Sequence, residues 1–169
     1  MMIYALFGEN SFAASQELDR IVKEFGDKPE KYDGESLSVK DLPDIFMSTT
    51  LFSSRRLIVI KNIASNTALW SVLGEWLPRL ADDIALVLID TKPDKRTSTY
   101  KALQKTATIK DFPAWTERDT LTAQKWVQSE AKHRGIVLSA PLAKLLVQRV
   151  GVNQWALFRE IEKIALLDT

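Results

Sequence analysis

The feature that most constrains the fold is an unbroken run of branched aliphatic residues, Leu57 to Ile60, in the middle of the chain. Such a run is too short for a stable helix but is typical of a strand that is buried on both faces. The segment Ile84 to Ile89 has the same character over a greater length. Because strands covered on both faces belong to parallel sheets, these runs predict the centre of one.

The remaining apolar segments alternate between strand and helix patterns. Shorter strands are predicted at the positions 3–7, 31–33 and 108–112, and the Leu57 run extends to a strand over about 56–61. Amphipathic helices are predicted over about 12–25, 39–48, 66–80 and 97–104. This alternation favours an α/β fold, with a parallel sheet flanked by helices on both faces.

The last part of the chain is predicted to be helical. A helix over about 120–132 is expected to bury Leu121, Trp126 and Val127, and two more helices follow from Ser139 and from near Asn153. We place a domain boundary at about Leu138, which gives an α/β domain over 1–138 and a helical segment over 139–169. The apolar faces of that segment need more cover than so short a stretch supplies.

Composition excludes several classes of function. With 23 basic and 22 acidic side chains, the formal charge of +1 provides no strong field toward nucleic acid or an anionic membrane. The chain has no cysteine and a single histidine, which excludes disulfides, thiol catalysis and a multi-histidine metal site. His133 lacks a recognisable nucleophile or orienting partner, and it is better explained as a favourable residue at a helix end.

The targeting signals are also negative. No apolar run approaches the roughly 18 residues that a membrane span needs, and the N-terminus has no secretory pattern. The chain is therefore expected to be cytoplasmic and not bound to a membrane.

A strand, a glycine turn and a helix open the chain, as in nucleotide-binding α/β domains, but the phosphate-binding loop is missing. That loop needs a Lys-Ser/Thr pair, whereas Gly8 is followed by Glu9 and the first lysine is Lys23. The strand over 56–61 ends in Lys61 and Asn62, where an ATPase of this layout has acidic residues for magnesium. We therefore expect no cofactor, no metal and no catalytic residue.

Two surface features have alternative interpretations. Leu51 and Phe52 lie among small hydroxyl residues that include Thr50 and Ser53, so the pair is either a plug over the core or an anchor for another protein. A basic cluster contacts DNA phosphates or is simply a solvated loop. The cluster comprises Lys92, Lys95, Arg96, Lys101 and Lys105.

Several segments, in order along the chain, carry a resemblance to a known family. They are 3–12 with its Gly8-Glu9-Asn10 turn, 32–35, 51–62, 94–96 with 100–103, and 150–153 leading to 160–165. Together they resemble the N-terminal half of the bacterial DNA polymerase III delta subunit, the clamp-opening subunit of the clamp loader. Asn10 replaces the usual aspartate, and Trp155 and Ala156 stand where many members are basic.

The resemblance implies an AAA+-like sheet that binds no ATP, followed by the start of a helical lid domain, with the family's collar domain absent from this sequence. It implies that Leu51 and Phe52, flanked by Thr50 and Ser53, insert into a pocket of the sliding clamp (the beta subunit). The implied partners are that clamp, the other loader subunits if the missing half is present, and DNA weakly or indirectly. The alternatives are a degenerate nucleotide-binding ATPase and an α/β interaction module of unrelated function.

Overall fold

The computed structural model describes residues 2–48 and 55–167. The chain divides into two compact units, Met1–Phe112 and Pro113–Thr169. Each unit has a hydrophobic core of its own.

The first unit is built on a parallel five-stranded sheet, as the sequence predicts. The strand order is β2-β3-β4-β1-β5, and every pair of neighbouring strands is parallel. The strands are β1 (Met2–Phe7), β2 (Glu30–Asp33), β3 (Arg56–Lys61), β4 (Ile84–Asp90) and β5 (Thr108–Asp111).

Four helices connect these strands. They are α1 (Ser11–Phe25), α2 (Leu42–Met47), α3 (Thr67–Trp76) and α4 (Ser98–Thr106). Short 3-10 helices precede α2 and both precede and follow α3, at Val39–Asp41, Ile63–Ser65 and Leu77–Arg79. The predicted helix over 66–80 is thus an α-helix that tightens into a 3-10 turn at Pro78, which donates no backbone hydrogen bond.

The central strands are buried on both faces, which confirms the interpretation of the aliphatic runs. Leu57 and Val59 of β3 pack in one apolar cluster with Leu18 and Ile21 of α1. The alternate residues of β3 pack on the opposite face in a larger cluster with residues of α2, α3 and α4. That larger cluster includes Ile58, Ile60, Phe46, Leu73 and Leu103. Neither face of the strand is left for solvent, because side chains alternate along it and both sets are covered.

The second unit is entirely helical. After a 3-10 turn at Glu117–Asp119 it contains α5 (Thr120–His133), α6 (Ala140–Val150) and α7 (Gln154–Leu167). Its core is made mostly of small and medium side chains from all three helices. They include Ala123, Val127 and Ala131 of α5, Ala143 and Val147 of α6, and Leu157 and Ile161 of α7.

This core corrects the predicted domain boundary at about Leu138. The division lies between Phe112 and Pro113, because α5 packs with α6 and α7. The prediction that α5 buries Leu121 is also wrong, since this side chain is 72% exposed. Its neighbour Ala123 lies in the core instead.

Within residues 2–48 and 55–167, none of the helices combines the length and the apolar character that crossing a membrane requires.

We predict that Leu157→Ala destabilises the second unit by about 2–5 kcal/mol, because it leaves a cavity among the three helices. Leu157 is fully buried, with 0% exposure. Urea unfolding followed by circular dichroism measures the loss. Leu121→Ala is the matched control, because it removes the same atoms from an exposed position in the same unit and should change the unfolding free energy by less than about 0.5 kcal/mol. Equal losses for the two variants would contradict the assigned core.

Candidate functional site

The predicted anchor residues Thr50, Leu51, Phe52 and Ser53 lie outside the described residues. The structure does describe both flanks of this stretch. On the N-terminal side the chain leaves α2 at Ser48, and on the C-terminal side it re-enters at Arg55 and continues into β3 at Arg56.

Arg56, in the C-terminal flank, is a buried cation. Its side chain is 5% exposed and makes a two-pronged ion pair with Glu30 of β2, in which Nε and Nη2 each lie 2.7 Å from a carboxylate oxygen. Its Nη1 donates to the backbone oxygens of Ile45 at 3.2 Å and Ser48 at 2.7 Å. A buried arginine is tolerated when its donors are satisfied in this way.

The electrostatics around this ion pair agree with its geometry. The hydrogen bond from Arg56 lowers the pKa of the Glu30 carboxyl, and burial opposes that effect. Tyr32 donates its hydroxyl to Glu30 Oε2 at 3.1 Å, the same oxygen that accepts from Arg56 Nη2. Burial, followed by this contact with Glu30, raises the pKa of Tyr32. The pair is therefore ionised over the whole physiological range.

The neighbouring Arg55 is held differently. It is exposed, and its guanidinium lies 4.6 Å from the ring centroid of Phe25 at the end of α1. A cation over an aromatic face at this distance is attracted to the ring. The two arginines that follow the predicted anchor thus contact α1, β2 and the end of α2.

The turn between β1 and α1, where a phosphate-binding loop is found in nucleotide-binding relatives of this fold, uses its own backbone donors. The amide of Gly8 donates to the carbonyl of Asp90 at 2.9 Å, and that of Asn10 donates to the carbonyl of Phe112 at 2.9 Å. The Asn10 side chain accepts from the amide of Ala13 at 3.1 Å, as an N-cap.

The same turn is also tightly packed. A Cβ atom added to Gly8 would lie 2.1 Å from the Phe112 carbonyl oxygen, and the φ angle of Gly8 is 133°. Only glycine fits here, because any side chain would collide with the protein's own backbone and would be strained at this φ angle. In a phosphate loop the glycine serves the approach of a phosphate group instead.

Asp90 ends β4 and connects two neighbouring turns. Its carboxylate accepts from the amide of Ala64 at 3.2 Å, and the side chain is 5% exposed. Burial raises the pKa of Asp90 to about 6, against the opposing effect of the backbone hydrogen bonds. β3 ends at Lys61 and Asn62 follows it directly, as predicted, and the amide of Asn62 donates to the carbonyl of Ile89.

The side chains that were predicted to contact DNA or another loader subunit are all exposed: Lys92, Lys95, Arg96 and Lys101. Two of these cations already have acidic neighbours. Arg96 pairs with Asp94 at 2.9 Å and lowers the pKa of that carboxyl to about 2, while Lys95 lies 3.5 Å from Asp111. Contact of this cluster with DNA or another subunit stays a prediction.

His133 is the last residue of α5, in agreement with its interpretation as a helix-end residue. No group of three histidine, cysteine, aspartate or glutamate side chains within 2–48 and 55–167 is arranged to hold a metal ion.

Comparison with known proteins assigns the chain to a family. The model of the family described as DNA polymerase III, delta subunit matches residues 4–112. The chain belongs to this family. The match includes the whole sheet except its first two positions, the closed turn after β1 and the stretch that holds the predicted anchor. No curated protein sequence matches the chain significantly.

Solved structures agree on the fold. The delta protein of the Bacillus subtilis DNA clamp loader (YqeN) superposes with a TM-score of 0.70 at 21% identity, over 99% of this chain and 53% of that one. The Thermotoga maritima RuvB Holliday junction branch migration motor has a TM-score of 0.60 at 14% identity, over 95% and 53%. The fold is therefore AAA+-like, as predicted, and the chain spans about half the length of these proteins.

Sequence reasoning missed two residues of this region. The burial of Arg56 depends on a partner 26 positions earlier, and an arginine next to a turn gives no sign of being buried. Asp90 could have been found, because an acidic residue that ends the most apolar strand is unlike its neighbours.

We predict that the ionisation of Asp90 makes the protein less stable as the pH rises. The folded-state pKa of about 6 exceeds the unfolded value of 3.8, so between these values the folded state binds more protons and stability falls with increasing pH. Asp90→Asn should remove up to about 2–3 kcal/mol of this fall between pH 4 and pH 8. Urea unfolding across that range measures the difference from the wild type.

Asp94→Asn is the matched control for this measurement. Asp94 is exposed, and its pKa is about 2 in the folded state and 3.8 in the unfolded state, so above pH 5 it is ionised in both states and its removal should not change the slope. If Asp90→Asn kept the slope of the wild type, the proposed ionisation would be refuted.

Proposed function

We propose that this chain is the clamp-binding part of a clamp-loader subunit, and that Leu51 and Phe52, with Thr50 and Ser53 beside them, form its hydrophobic anchor for the sliding clamp. The observation that carries the proposal is the match of the delta-subunit family over 4–112, which includes these four residues. The likeness to the B. subtilis clamp loader delta protein supports the same role.

The position of the pair favours an anchor over a plug. The apolar cluster on the α2 side of the sheet already contains a pair of the same residue types, Leu42 and Phe46 of α2, both at 0% exposure. A pair placed between α2 and β3 is therefore not needed to close that core. Two large apolar side chains each contribute about 1.5–3 kcal/mol when buried in a partner, as an interface hot spot requires.

Opening of the clamp follows from differential binding. A module that binds both forms of a ring equally well cannot shift the equilibrium between them. The anchor therefore has to be combined with a surface that fits the open ring better than the closed ring. We propose that this surface lies on the first unit, which contains both α2 and β3, the elements on either side of the anchor in sequence.

We infer that the chain has no catalytic site and contributes binding to the DNA polymerase III holoenzyme. Three observations support this inference. The donors of the turn after β1 are occupied by protein carbonyls. The turn has no lysine, and β3 ends in Lys61 and Asn62 where acidic residues would hold magnesium. Neither the turn after β1 nor the end of β3 favours the alternative, a degenerate ATPase.

The remaining assignments follow from the family. We propose that the second unit is the start of the helical lid domain, and that the other loader subunits are partners of the complete subunit. Lys92, Lys95, Arg96 and Lys101 are proposed to contact DNA or a loader neighbour only weakly, because part of their charge is neutralised locally. We propose a cytoplasmic location, because a role in replication implies it.

The test is binding to the sliding clamp of the same organism, measured by titration calorimetry. We predict that the wild-type chain binds and that Leu51→Ala/Phe52→Ala weakens binding by about a hundredfold or more, because two buried side chains are truncated. Circular dichroism should show that both proteins are folded.

Leu142→Ala/Leu145→Ala is the matched control, since it truncates two exposed apolar side chains of the second unit. It should keep the affinity of the wild type. If the wild type did not bind, the clamp-binding proposal would fail. If instead Leu51→Ala/Phe52→Ala did not fold, the pair would be part of the core.

A further inference from the structure

The side chain of Arg56 joins the two flanks of the stretch that holds the proposed anchor. We propose that Arg56, oriented by Glu30, is a positioning residue for clamp binding: it fixes the points at which the chain leaves α2 and enters β3. This inference rests on the proposed function and adds to it the device that holds the anchor in place.

Arg56 is hydrogen-bonded to the end of α2. Arg56 Nη1 donates to the carbonyls of Ile45 and Ser48, which lie at the C-terminal end of this six-residue helix. The same nitrogen lies 3.1 Å from the Ser48 hydroxyl. The last carbonyls of a helix have no partner within it and carry partial negative charge, so a cation at this end stabilises the terminus.

Glu30 restricts the orientation of the guanidinium. Glu30 accepts from Nε and Nη2 at 2.7 Å each, and this two-pronged contact restricts rotation of the planar group. Arg56 begins β3, and the next four residues of that strand are at most 1% exposed. The backbone of Arg56 therefore belongs to a strand that is buried on both faces.

The two contacts together define the ends of a short stretch. Ser48 is the last described residue before residues 49–54, and Arg56 is the second described residue after them. The 2.7 Å hydrogen bond between them holds these two positions together across the stretch. Fixing both ends of a short connection reduces the conformational entropy that binding would otherwise cost, which increases affinity through preorganisation.

The arrangement does more than attach β2 to β3. Backbone pairing already attaches β2 to β3, with Glu30 opposite Ile58, and the ion pair alone would add to that attachment. Besides stabilising the end of α2, the contacts to Ile45 and Ser48 connect the described residues on the two sides of the anchor stretch.

The test is a double-mutant cycle on clamp affinity. Arg56→Lys keeps the positive charge but loses the planar guanidinium group, which donates to Glu30 and to α2 at the same time. We expect it to weaken binding of the otherwise wild-type chain by about tenfold. In a Phe52→Ala background the same substitution should cost less than about threefold, because the residue acts through the anchor. Glu30→Gln should follow the same pattern with a smaller effect.

Arg20→Lys is the matched control. Arg20 also pairs with two carboxylates, those of Glu17 and Glu24, but it lies on the exposed side of α1. It should leave clamp affinity unchanged in both backgrounds. Circular dichroism and thermal unfolding establish that each variant is folded. If Arg56→Lys is not folded, the double-mutant cycle is measured with Glu30→Gln instead.

The outcomes separate the two claims. Equal losses for Arg56→Lys in both backgrounds would overturn the positioning role, because the residue would then act independently of the anchor. Unchanged affinity would also overturn it, and in either case the wild-type binding that supports the proposed function would stand. Absence of wild-type binding would remove both claims.

Discussion

The pairing of β3 with β4, buried on both faces, is the constraint on which the rest of the first unit depends. Leu57 to Ile60 and Ile84 to Leu88 are covered by α1 on one side and by α2, α3 and α4 on the other. With its centre fixed in this way, the sheet has two ends at which loops can vary. The six residues of β3 separate those ends by about 17 Å, at roughly 3.3 Å per residue.

The two ends have opposite characters. At the carboxyl end of the strands, two backbone amides of the turn after β1 donate to the carbonyls of Asp90 and Phe112, and Gly8 packs against the Phe112 carbonyl. At the amino end of β3, Arg56 binds Glu30 and the end of α2, next in sequence to the stretch that holds the proposed anchor. An AAA+-like scaffold can therefore lose its nucleotide site at one end and present a partner-binding stretch at the other. The proposed function is an example of this separation.

Much of the fold could be predicted from the sequence, and the failures have physical causes. Unbroken aliphatic runs identified β3 and β4, because few other structures bury every residue of such a run. The boundary at Leu138 was misplaced because the buried face of α5 is built on Ala123, Val127 and Ala131, whose small side chains give a weak periodic signal, while the larger Leu121 is exposed. The Arg56 network could not be predicted, because it depends on which residues of β2 lie beside β3.

Partner binding by this chain is proposed to be independent of nucleotide. Titration of the sliding clamp with the chain, in the absence and in the presence of excess ATP and magnesium, tests that claim most directly. The closed turn after β1 predicts the same clamp affinity in both conditions, together with no heat of ATP binding to the chain alone. Clamp binding that requires ATP, or that changes by tenfold or more with it, would contradict the account.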